Sequence, residues 1–176
     1  MKNNKGFTLV ELLAVIVLLG MLMSIALVSI SKYVENSKLK AYVSIAKEYM
    51  EIASIEIAKQ ELVARDENTV YYIHINNLES EKGDQNSPFG KWVDAYVVVV
   101  IDADTGDYHY YWTSVDEAGY RVDETLDGDL TTKSIYVSDD LTIVPAYPIG
   151  GRDYITVYAK DGNKTSTEPQ VEIEEE

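Results

Sequence analysis

The stretch Gly6-Phe7-Thr8-Leu9-Val10-Glu11-Leu12-Leu13 opens a run that stays apolar to Ser31, apart from Glu11, Gly20 and small hydroxyl residues. As a helix rising ~1.5 Å per residue, residues 7–31 reach roughly 38 Å. That is enough to cross a hydrocarbon layer of ~30 Å with some tilt. Lys2 and Lys5 precede the run, which predicts a cytoplasmic N-terminus and an external remainder. Glu11 is the discordant residue. A carboxylate in an apolar spanning helix is costly unless something pairs with it, and no cation follows until Lys32. Its partner has to come from the start of the chain or from another molecule. Two simpler readings compete. A secretory signal peptide cut after Ser24-Ile25-Ala26 would leave Leu27 first, but its apolar region would span only ~7–15 residues. A plain signal anchor explains everything except Glu11.

Residues 6–13, behind the short basic leader Lys2-Asn3-Asn4-Lys5, resemble the signal of type IV prepilins and pseudopilins. The resemblance covers about 30 residues closely and the following helix loosely. It implies cleavage after Gly6 by a prepilin peptidase, which removes the leader 1–6, and N-methylation of Phe7. It further implies that Glu11 of one copy neutralises the Phe7 amine of a neighbour and so fixes register in a filament. Gly20 has two readings: a flexible point in the helix, as in the family, or a site of close helix packing. A mid-helix glycine costs ~1 kcal/mol relative to alanine. The family often has a proline eight residues beyond; here that position is Val28. The partners implied are copies of the chain or related pilins, the prepilin peptidase, the plasma membrane and an assembly platform, type II secretion-like machinery included.

Residues 32–66 continue the helix without Pro or Gly. Leu39, Tyr42, Ala46, Tyr49, Ala53 and Ile57 repeat at the helical period, flanked by Val43, Met50 and Ile52. Such a stripe requires a cover, and a sheet within residues 67–160 is the expected one. Trp92–Ile101 is the clearest strand. Val93, Ala95, Val97, Val99 and Ile101 are expected to face the helix, with Trp92, Asp94, Tyr96, Val98 and Val100 opposite. A turn over 102–107 and a return strand over 108–115 make a hairpin. Shorter strands are expected at 70–75, from Tyr120, at 134–137, 141–144 and 154–159. Short spacing and frequent turns favour an antiparallel sheet. The expected fold class is α+β: a long N-terminal helix, transmembrane then amphipathic, packed on an antiparallel head in a pilin-like arrangement. Ser87-Pro88-Phe89-Gly90 ahead of the main strand resembles a pseudopilin pattern. The acidic tail 161–176 is expected to be disordered.

Charge is segregated. Residues 1–65 hold eight Lys/Arg against six Asp/Glu, and residues 66–176 hold seven against 24, giving the net −15. An acidic head of this kind repels phosphate backbones, so no nucleic-acid binding by it is expected. The absence of cysteine excludes disulfides and thiol chemistry. Neither His74 nor His109 has zinc-ligand spacing or a Ser-His-Asp setting, and no enzyme is expected. Asp102, Asp104 and Asp107 are the one candidate cation site, with oxygen donors suited to Ca²⁺; the alternative is a plain acidic turn, with no cofactor. Asn163-Lys164-Thr165 fits a glycosylation sequon. The functional alternative to a filament subunit is a monomeric, signal-anchored binding or adhesin domain, for which the 14 tyrosines offer contact residues.

Overall fold

The computed structural model describes residues 8–59, 69–80, 83, 85–143, 154–158 and 163–167, without the side chains of 25–29, 154, 155, 166 and 167. One helix, α1 (Leu9–Ala58), runs for 50 residues. The last stretch of the expected helix, residues 60–66, lies outside the described residues, as do 67 and 68. The chain divides into two compact units, Met1–Lys38 and Leu39–Glu176, and α1 contributes to both.

In the second unit Leu39, the first residue of the stripe read from the sequence, is half-buried, while Tyr42, Ala46, Tyr49, Ala53 and Ile57 are buried together with the flanking Met50. The buried ones pack on Tyr71, Ile73, Ala95, Val97, Val99, Ile101, Trp112 and Val122. Among the described residues seven strands supply the cover: β1 (Thr69–His74), β2 (Trp92–Ile101), β3 (Tyr108–Asp116), β4 (Tyr120–Leu126), β5 (Tyr136–Val137), β6 (Tyr154–Tyr158) and β7 (Lys164–Thr167). Their order is β5-β4-β3-β2-β1-β6-β7, so β1 to β5 form a meander and β6 adds beyond β1.

The structure departs from the expected head in four places. The sheet is not wholly antiparallel, because β6 pairs parallel to β1, Val70 opposite Ile155 and Tyr72 opposite Val157. A parallel pair cannot be joined by a two-residue hairpin and needs a long connection, which the sequence separation of β1 and β6 provides. Second, Leu141–Ile143 is irregular rather than a strand, and Val144 lies outside the described residues. The Thr142 carbonyl serves Arg121 Nη1 at 2.9 Å instead of a ladder. Third, the expected disordered tail contains β7, which pairs antiparallel with β6; residues 168–176 lie outside the described residues.

The fourth concerns Trp92, which packs against the helix side. The β2–β3 register shifts between Trp92 and Asp94, so Val93 is one residue more on β2 than β3 supplies opposite it. Such a bulge breaks the two-residue alternation and moves the residue before it to the other face. Trp92 therefore meets Tyr42 at 4.9 Å and Trp112 at 5.9 Å, edge to face. The opposite face of the sheet is apolar as well: Val70, Tyr72, Tyr96, Val98 and Val100 form a second buried cluster with Tyr111, Ile143 and Val157 against it.

A hydroxyl chain threads the helix–sheet core. Trp112 Nε1, which can only donate, gives its hydrogen to Ser114 Oγ at 2.6 Å. Ser114 Oγ lies 2.7 Å from Tyr42 Oη, which in turn is 3.4 Å from the Tyr120 carbonyl. Each buried hydroxyl thus has somewhere to send its proton, and burial pushes the Tyr42 phenol pKa up. The segment before β2 is fastened as well. Trp92 Nε1 donates to the Gln85 carbonyl at 2.8 Å, Gln85 Nε2 donates to Glu48 of α1 at 2.8 Å, and Ser87 Oγ donates to buried Asp116.

Candidate functional site: the start of the N-terminal helix

Thr8 stands immediately before α1 and caps it. Its backbone N–H and its hydroxyl both donate to Glu11 Oε2 at 2.8 Å, and Glu11 N–H donates back to Thr8 Oγ1 at 3.2 Å. This reciprocal arrangement satisfies helix-start donors that otherwise lack a partner. Glu11 therefore has a partner within its own chain, three residues upstream. Thr8 was missed as a site residue although its signal, Thr-x-x-Glu before an apolar run, is a recognised helix opening. Gly6 and Phe7, the expected cleavage and methylation positions, lie outside the described residues.

Beyond the cap the helix presents apolar side chains all round. Leu9, Leu12, Leu18, Leu22 and Met23 are each more than 60% exposed. Among the described residues no helix is long and apolar enough to cross a membrane; the side chains of 25–29, within the expected span 7–31, lie outside them. Gly20 has open space around it: a Cβ there would meet nothing within 4 Å. Ser24 Oγ donates to the Gly20 carbonyl at 2.9 Å, a back-bond one turn down the helix.

Residues 1–27 match the prokaryotic N-terminal methylation motif. The chain carries a prepilin-type signal. The matched stretch spans Gly6, Phe7, Thr8, Glu11 and Gly20, and the motif supports a prepilin-type substrate. No curated protein and no solved structure gives a significant match to the chain.

Away from the prepilin-type signal, the structure places the remaining candidates separately. Asp102 Oδ1 accepts from the N–H groups of Asp104 and Thr105 at 2.9 and 2.8 Å. Asp102 N–H closes the turn on the Asp107 carbonyl at 2.8 Å, and Gly106 takes φ 76°. The backbone N–H of Thr105, then that of Asp104, holds the Asp102 carboxyl below the usual range. One oxygen of the expected cation site is thus engaged in shaping the turn. No group of three or more His, Asp or Glu among the described residues is placed to hold a metal ion. His109 Nε2 stands 3.8 Å from Asp102 Oδ2 at the surface. His74 is a core residue, 2% exposed. Its Nδ1 accepts from Asn76 N–H at 3.1 Å, which leaves the neutral ring's proton on Nε2, 3.1 Å from Asp94 Oδ1 but off the line of a hydrogen bond. Asn163, Lys164 and Thr165 of the sequon are exposed at the outermost strand.

Proposed function

We propose that this chain is a structural subunit, a pilin or pseudopilin, of a type IV pilus-like filament, and not an enzyme. In this reading, a prepilin peptidase cuts after Gly6 and methylates the Phe7 amine. Residues 7–31 then hold the subunit in the plasma membrane as a single pass until an assembly platform draws it into the filament. The work is mechanical: apolar helices bundle, Glu11 and the Phe7 amine of a neighbouring copy set the register, and the heads form the outer surface.

The observation that carries the reading is the match of residues 1–27 to the methylation motif. The bare apolar surface from Leu9 to Met23 supports it, because an apolar area of this kind marks a membrane or protein contact. Glu11 supports it too. The cap to Thr8 uses one carboxylate oxygen, and an ionised carboxylate has acceptor capacity for a cation besides. Burying such a pair in an apolar bundle gives specificity rather than net stability, since removing one member leaves an uncompensated charge.

Mass analysis of the native N-terminus tests the proposal. N-methylphenylalanine at position 7 is the expected result. A chain beginning at Met1 or Leu27 would overturn it, the first in favour of a signal-anchored binding domain and the second in favour of an ordinary secreted one.

A further inference from the structure

Between residues 12 and 47 the chain has four lysines, Lys32, Lys38, Lys40 and Lys47, against a single acid, Glu35. Lys32, Asn36, Lys40 and Lys47 follow one another at intervals of four, four and seven, which places them along one side of α1. Tyr33 beside them is 76% exposed. Lys47 shows what a lysine of this stripe does beside an acidic surface: its Nζ lies 3.4 Å from Asp127 Oδ1 and donates to the Asp127 carbonyl at 3.1 Å. Lys32 and Lys40 are exposed and have no carboxylate partner among the described residues.

We infer that the Lys32–Lys40 face of one copy docks against the acidic head of a neighbouring copy. This rests on the filament reading above. The argument is charge complementarity within one sequence. Each copy brings one basic stripe and one distal region with seven Lys/Arg against 24 Asp/Glu. Packing heads side by side without countercharge sets like charges against each other. Placing the stripe of one copy on the head of the next relieves that repulsion and fixes axial register, the usual role of complementary surface charge. The stripe begins directly after Ser31, where the apolar run ends. Copies that bundle through that run therefore bring the lysines among their neighbours' chains. Contacts of this kind persist at moderate salt and fade when the screening length drops to ~3 Å near 1 M.

The test uses the full chain in its native host. Lys32→Glu/Lys40→Glu is compared with Lys32→Arg/Lys40→Arg and wild type for filament yield, N-terminal mass and melting of the head. The glutamate pair should lower filament yield at least about 10-fold, the scale of reversed charges at an interface, while methylated Phe7 and head melting stay unchanged. The arginine pair should assemble as wild type, and wild-type filaments should dissociate faster in 1 M NaCl. Wild-type yield from the glutamate pair overturns the inference. Normal filaments combined with lost binding to phosphatidylglycerol vesicles also overturn it, and assign the stripe to lipid headgroups. If the wild type itself shows neither methylated Phe7 nor filaments, the filament reading falls and this inference with it. Methylated wild-type filaments with an unaffected glutamate pair overturn this inference alone.

Discussion

Glu11 performs two separable tasks. Within its own chain it caps the helix start through Thr8; between copies it is proposed to meet the Phe7 amine. Glu11→Val removes both tasks, and Glu11→Gln keeps an oxygen for Thr8 while removing the charge. Both variants should insert into the membrane as well as wild type or better, and both should lose filaments. Membrane fractionation beside filament yield measures this, and a Gln variant that assembles normally would reduce the residue to a cap. The acid was legible in the sequence because a lone carboxylate in an apolar run stands out; its tie to Thr8 was not, because the donors are an uncharged N–H and hydroxyl that leave no charge pattern. Glu124 was invisible in the sequence. Burial pushes its carboxyl pKa up, opposed by the hydrogen bond from the Tyr72 hydroxyl. A carboxyl raised in the folded state keeps its proton there after the unfolded chain has released its own. The head therefore loses stability as pH climbs from about 4.3, the ordinary glutamate value, through the folded pKa. Glu124→Gln lacks that loss, so its melting advantage over wild type should grow across this window and level off above it.

At the scale of elements, periodicity was a reliable guide wherever one rule governed a whole segment. The buried stripe of α1 and the alternation from Ala95 to Ile101 emerged as read. The rule failed at Trp92, because one extra residue, Val93, resets the alternation and nothing in the letters announces it. Deleting Val93 should return Trp92 to the far face, away from Tyr42 and Trp112. Withdrawing a tryptophan from such a cluster costs about 3–5 kcal/mol, and denaturant unfolding of the head should report a loss of that size. An unchanged midpoint would mean that the bulge does not position Trp92. Buried serines are the other gap. Ser114 joins Trp112 to Tyr42, and Ser87 joins the segment before β2 to Asp116. A hydroxyl amid apolar letters shows no sign of the partner it will find, since that partner is distant in sequence.

For the molecule as a whole, fold class was legible, and strand order only in part. Hairpins could be read because their partners are neighbours in sequence, as in β2–β3 and β3–β4. The β1–β6 pairing joins residues about 85 apart, Tyr71 with Thr156, and no local signal encodes it. Its importance follows from what it covers. Val70 and Tyr72 on β1 are fully buried, with Val157 of β6 packed on their cluster. A chain ending at Ile143 should leave one side of β1 without a hydrogen-bonding neighbour and uncover that cluster. Its head should lose resistance to limited proteolysis in membranes, while the N-terminal segment inserts and is processed as before.

The adjacency of β1 and β6 also sets a schedule. The earliest strand of the head must wait for one of the latest to be made before its second flank is satisfied. A nascent chain therefore holds an incomplete sheet until residues 154–158 have emerged, so this head closes late in synthesis rather than early.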